Sequence, residues 1–188
     1  TKYHSGGSDV LMGAVITHAK DVHQKIESAH MRLGLGVSAD DTFLVLRGLP
    51  TMKLRFEAHD HSAREIATWL KSRSEITHIL HPAFDDCPGH ATWKRDFTGA
   101  GGLFSVLFNP RFTEAHTDRF IDSLKLFKIG YSWGGPMSLV VPYNIASMRS
   151  NWPSHLKPGH LVRFSTGFES SKDLIDDLTQ AVSSCLNI

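Results

Sequence analysis

The change of pattern at Arg47-Gly48-Leu49-Pro50 constrains the fold of this chain more than any other feature. Before it the apolar residues come in short, irregular stretches. After it they recur first at helix spacing, then at strand spacing, then at helix spacing again, the order of an α/β unit whose helices cover a sheet. Leu54, Ala58, Ile66 and Leu70, at multiples of four with charged residues between them, predict a long helix. Pro50 suits its first turn, where no intrahelical N–H is needed. Strands are expected at 76–80, 103–108, near 126–132, at 138–141 and at 160–168. A loop is expected through FDDCPGH, a short helix from Thr113 and a last helix over 171–185. The last helix puts Leu174, Ile175, Leu178, Ala181, Val182 and Cys185 on one face, a core stripe, and Ser170 with Asp173 resembles a capping box. The expected division is therefore a domain boundary at about residue 48, with a self-consistent α/β unit over 49–188.

In the first part, the apolar run Val10 to Thr17 predicts a buried strand, and His18 to about Met31 a polar helix. LGLGVSADD reads as a loop on its glycines and its Ser and Asp turn chemistry. The GLG within it lacks the spacing and strand-to-helix context of a nucleotide-binding turn. The chain shows no internal repeat and no low-complexity tract.

Charge narrows the function. Lys and Arg number 20 against 19 Asp and Glu in 188 residues, so the net charge of +1 leaves no electrostatic footprint for nucleic acid or an anionic membrane. The longest apolar runs, such as LFSVLF, fall far short of the roughly 20 residues of a spanning helix. Two cysteines, Cys87 and Cys185, form no disulfide framework and suggest a reducing, cytoplasmic setting. A small molecule or a protein is the expected partner.

Three places invite chemistry. Lys2, in Thr1-Lys2-Tyr3 ahead of SGGSD and the apolar run, reads either as a solvated charge or as a nucleophile. An attacking amine must be deprotonated, which needs burial or neighbouring charge. In HLVRFSTGF, Val162, Phe164, Thr166 and Phe168 alternate with Leu161, Arg163, Ser165 and Gly167. An arginine in so apolar a strand requires an anion, and its planar fork suits a carboxylate, either an internal one or a ligand's. YSWGG at 131–135 reads as a turn where backbone comes close to something else. The 12 histidines, including HDH at 59–61 and the pair His78 and His81, lack the Cys or carboxylate companions of a zinc set, so no metal site is expected.

Taken together, TKYHSGGSDVLMG, LRGLPTMKLR, the series HPA, PGH, WKRDFTG and GLFS, YSWGG, and VRFSTGFESSKDLIDDL resemble the fold-type I, pyridoxal-phosphate-dependent enzymes of cysteine and methionine metabolism. The resemblance covers essentially the whole chain, and WKRDFTG with YSWGG is closest to the β-lyase branch. It implies an α/β chain that is the C-terminal half of a longer enzyme, beginning next to its Schiff-base lysine. Residues 1–48 would finish the large cofactor-binding domain.

The same resemblance implies pyridoxal 5'-phosphate as cofactor, with Lys2 as its covalent anchor and general base and Thr1 on its phosphate. Arg163 would hold the substrate carboxylate, with Ser132 and Trp133 lining the pocket. It further implies a sulfur amino-acid substrate, β-elimination of cystathionine to homocysteine, pyruvate and ammonia, the upstream N-terminal half as partner, and a homotetramer. A γ-lyase, a γ-synthase or a non-catalytic assembly role are the alternatives. Pro136 and Met137 depart from the aromatic and Glu that often follow SWGG in the β-lyases.

Overall fold

The computed structural model describes residues 1–148, 150–151 and 159–186. Its helices and strands follow in the order α1 (Lys20–Leu33), α2 (Ala39–Gly48), a 3-10 turn (Leu49–Thr51), α3 (Met52–Lys71), β1 (Ile76–Leu80), α4 (His90–Asp96), β2 (Leu103–Phe108), α5 (Glu114–Asp122), β3 (Lys128–Ile129), β4 (Leu139–Tyr143), α6 (Ile145–Met148), β5 (Leu161–Ser165) and α7 (Ser171–Cys185). The strands form one sheet in the order β1-β2-β5-β4-β3, antiparallel except for the short β3 beside β4.

Strand alternation separates the faces of the sheet. Phe104, Val106 and Phe108 of β2, Val162 and Phe164 of β5 and Val140 of β4 share a core with Ala63, Ile66, Ala67 and Leu70 of α3, Phe120 and Ile121 of α5, and Leu174, Leu178, Ala181 and Val182 of α7. Ser105, Arg163 and Val141 stand in register across β2, β5 and β4 on the opposite face. That face carries the candidate site. Asp177, buried on α7, accepts the backbone N–H groups of Lys125, Leu126 and Phe127, and so ties the helical layer to the segment that feeds β3 and the turn beyond it.

Several sequence expectations require correction. No strand forms over residues 10–17. Val10 is buried, but Leu11, Val15 and Ile16 are 72–87% exposed, and among the described residues no neighbour completes a ladder for this run. The expected loop ends in the first turn of α2, because Ser38 Oγ accepts the Asp41 N–H at 3.0 Å and turns SADD into a helix start. The buried face of α3 runs through His59, Ala63, Ile66, Ala67 and Leu70, while Leu54 and Ala58 are exposed. The strand expected at 126–132 is reduced to Lys128–Ile129. The Ser170 side chain makes no cap; a capping box forms instead at Thr113, whose N–H donates to His116 Nδ1 at 3.1 Å.

Candidate active site

The site is assembled from two ends of the sequence. Residues 2–6 form a tight turn in which the Gly6 N–H donates to the Lys2 carbonyl at 3.0 Å. The Lys2 side chain leaves this turn towards YSWGG, and its Nζ donates to Ser132 Oγ at 2.8 Å. The same Nζ lies 4.1 Å from the centre of the Trp133 ring, within cation–π range. Gly134 follows with φ of 72°, a left-handed conformation, and a Cβ there would stand 3.1 Å from the Tyr3 backbone nitrogen. The second half of SWGG is thus closed against the lysine turn, and a side chain at 134 would force the two apart.

Arg163 reaches the same place from β5. Its Nη2 donates to the Tyr131 carbonyl at 2.7 Å, and its Cζ lies 5.7 Å from the centres of both the Trp133 and Tyr143 rings. Among the described residues no carboxylate is within ion-pair reach of Lys2 or Arg163. Of the two readings of this arginine, an internal ion pair finds no carboxylate there. Both cations border one indole ring with their charges unbalanced, an arrangement that attracts an anionic ligand.

Lys2, Ser132, Trp133 and Arg163 are brought together. Thr1 is engaged locally: its Oγ1 accepts the Met12 N–H at 2.9 Å and donates to the Met12 carbonyl at 3.2 Å. The histidine groups serve other purposes. His59 is buried and its Nδ1 bonds the Thr166 carbonyl at 2.6 Å, while His61 is an exposed partner of Glu65. Burial lowers the pKa of His59. Among the described residues no three His, Cys, Asp or Glu side chains group as metal ligands.

Sequence reasoning missed the supports. Tyr3 Oη accepts the Gly102 N–H at 2.9 Å, and its ring packs edge-on against Phe56 and His59; burial raises the phenol's pKa. Glu169 Oε1 accepts the Ser138 N–H at 2.9 Å, and Oε2 accepts the Ser138 hydroxyl at 2.8 Å. Ser138 Oγ in turn accepts the Gly167 N–H, so the exit of the YSWGG turn is braced to the exit of β5. Within that brace, Pro136 uses its carbonyl to receive the Phe168 N–H, and Met137 is exposed. These partners lie tens of residues apart and are partly backbone, so no local motif announced them.

Comparison with known proteins first defines the class. The fold is that of fold-type I pyridoxal-phosphate-dependent enzymes: it superposes on a cystathionine gamma synthase from Xanthomonas oryzae pv. oryzae, solved with aminoacrylate and cysteine, with a TM-score of 0.85 and 32% identity over 98% of this chain and 48% of that one. Residues 1–183 match the family described as Cys/Met metabolism PLP-dependent enzyme, and the chain belongs to it. A cystathionine beta-lyase of Salmonella typhimurium is 40% identical over 181 residues, 95% of this chain and 45% of its own length. An L-alanine/L-glutamate racemase of Wolbachia pipientis wMel is 35% identical over all of this chain and 47% of its own. The chain spans less than half the length of these relatives.

The family depends on pyridoxal phosphate, and the residues present fit it. The group combines an aldehyde with a phosphate and acts on amino acids. Lys2 offers a primary amine whose described partners are one hydroxyl and one ring face, and Arg163 offers a guanidinium with no carboxylate partner among the described residues.

Proposed function

We propose that this chain provides the catalytic lysine and the substrate-carboxylate site of a pyridoxal-phosphate-dependent carbon–sulfur lyase that cleaves cystathionine by β-elimination. The observation that carries the reading is the meeting of Lys2, Ser132, Trp133 and Arg163, with Lys2 Nζ 2.8 Å from Ser132 Oγ and no described carboxylate on either cation.

In this reading Lys2 holds the cofactor covalently, and Thr1 contributes its hydroxyl to the phosphate while still accepting the Met12 N–H. Bound pyridoxal phosphate supplies an acceptor for the electron pair left when a bond to the substrate α-carbon breaks. Arg163 pairs with the α-carboxylate and fixes which α-bond is presented. The Lys2 amine, once freed by the substrate's own amino group taking its place, takes the α-proton, and Ser132 sets the direction of its lone pair by hydrogen bonding. Trp133 covers the amine and excludes water. The Cα–H and Cβ–S bonds break, the sulfur leaves as homocysteine after protonation, and the three-carbon remainder takes up water to give pyruvate and ammonia.

Residues 1–48 belong, in this proposal, to the large cofactor domain and 49–188 to the smaller one. The remaining half of the relatives' length completes the enzyme, which works as a cytoplasmic homotetramer. The test is product analysis with the full-length protein, pyridoxal phosphate and L-cystathionine. Pyruvate and homocysteine are expected. 2-Oxobutyrate would assign γ-elimination, and D-alanine formed from L-alanine without pyruvate would assign racemisation, the activity named for the Wolbachia relative.

A further inference from the structure

Lys2 is held at both ends. Its amine rests on Ser132; its backbone turn rests on Arg55 of α3. Arg55 Nη1 donates to the Tyr3 carbonyl at 2.7 Å, Nη2 donates to the Gly48 carbonyl at 2.8 Å and the His4 carbonyl at 3.4 Å, and Nε donates to Thr51 Oγ1 at 3.1 Å. Every acceptor is neutral. Among the described residues no carboxylate pairs with this guanidinium, and burial lowers its pKa. The Gly6 α-carbon, at φ of 72°, presses against the guanidinium so closely that a Cβ there would overlap it.

We propose that Arg55 is a positioning residue for Lys2: it clamps the Lys2–Gly6 turn onto α3 and so sets where the amine stands relative to Ser132 and the substrate carbon. The inference rests on the reading of Lys2 as cofactor anchor and base. A planar, five-donor fork can join the Tyr3, His4 and Gly48 carbonyls at once, which a lysine ammonium cannot do with the same rigidity. Misplacing a reacting group by about 1 Å costs on the order of 100-fold in rate, so the clamp bears on chemistry more than on substrate binding, which Arg163 serves separately.

The test uses Arg55→Gln, Arg55→Lys and Gly6→Ala in the full-length protein. Borohydride trapping with pyridoxal phosphate, followed by digestion, measures the rate at which the Lys2 peptide gains a pyridoxyl mass. Hydrogen exchange of the cofactor-free protein measures protection of the Tyr3 to Gly6 amides against that of α3. Arg55→Gln and Gly6→Ala are expected to slow trapping at Lys2 at least tenfold and to speed exchange in the turn while α3 keeps its protection. They should lower kcat about 10- to 100-fold with KM changed less than threefold, and Arg55→Lys should recover part of each loss. If Arg55→Gln does not fold, the other two variants decide. Trapping and kcat like the wild type, or exchange that rises equally through α3 and the turn, overturn the clamp. A wild-type protein that is not labelled at Lys2 overturns the underlying reading instead.

Discussion

Helices α2 and α7 are both amphipathic and differ in what they meet. α7 buries Leu174, Leu178, Ala181 and Val182 against the sheet, α3 and α5, whereas α1 and α2 bury no residue, and Phe43 and Leu46 of α2 stand 61% and 64% exposed. Leu11, Val15, Ile16 and Met31 are exposed in the same region. Helix-forming pattern and burial are therefore separable. Spacing and caps shape α2, but stability in water comes from packing a face, and only the region after Thr51 builds such packing within the described residues. Apolar side chains concentrated in one region mark a surface made for contact, in keeping with relatives twice as long as this chain.

The proposed catalytic lysine, Lys2, sits on the sparsely packed side and its supports on the packed side, which gives the first and largest test of the contrast. Lys2→Ala in the full-length protein should reduce turnover on the order of 10²- to 10⁴-fold, the range for loss of a general base, while the thermal midpoint stays put. Steady-state kinetics beside a melting curve separate the two effects. Phe164→Ala should do the reverse: Phe164 is fully buried between Phe104 and Phe127, and its removal should cost about 3 to 5 kcal/mol in denaturant unfolding.

Arg163→Lys comes next, at about 2 to 5 kcal/mol in transition-state terms, with KM raised and kcat lowered because a fork that both binds and orients is lost. Unchanged kinetics with a collapsed melting temperature would make Arg163 a purely structural residue.

Acid should loosen the packed region. His81 is fully buried against Phe84 and Phe104, and burial first, then Arg64, lowers its pKa from 6.5 to about 4, against a smaller opposing effect of Asp60. Between those values the unfolded chain carries the extra proton. The stability linked to a neutral His81 is thus fully present above pH 6.5 and lost as pH falls towards 4, about 1 to 3 kcal/mol in all. His59, shifted in the same direction, adds to the slope. His81→Gln should flatten it in unfolding curves taken across that range.

The smallest effect sharpens the contrast itself. Leu46→Ala should change the unfolding free energy of the 188-residue chain by less than about 0.5 kcal/mol, as for a surface site, but should destabilise the full-length protein by 2 kcal/mol or more if α2 is covered there, a core-like value on the order of those for buried leucine.

What could be read from the sequence follows the same division. β1, β2 and α7 fall where periodicity placed them, because their partners lie in the same packed region. The run at 10–17 has strand composition but no ladder partner among the described residues, and composition cannot supply one. SADD reads as a loop because Ser and Asp open turns and helices by the same hydrogen bond, and only the fold chooses between them. At the site, Lys2, Ser132, Trp133 and Arg163 were legible as motifs. Arg55 and Tyr3 were not, since their partners are backbone groups, the Tyr3 and Gly102 peptides, which any residue could offer.

In the proposed function Lys2 is the group that carries the cofactor. Borohydride reduction of the full-length holoprotein, followed by digestion and mass analysis, tests it without recourse to activity. One pyridoxyl mass is expected, on the peptide containing Thr1-Lys2-Tyr3. A pyridoxyl mass on another lysine, Lys20 or Lys94 for example, with Lys2 unmodified, would contradict it.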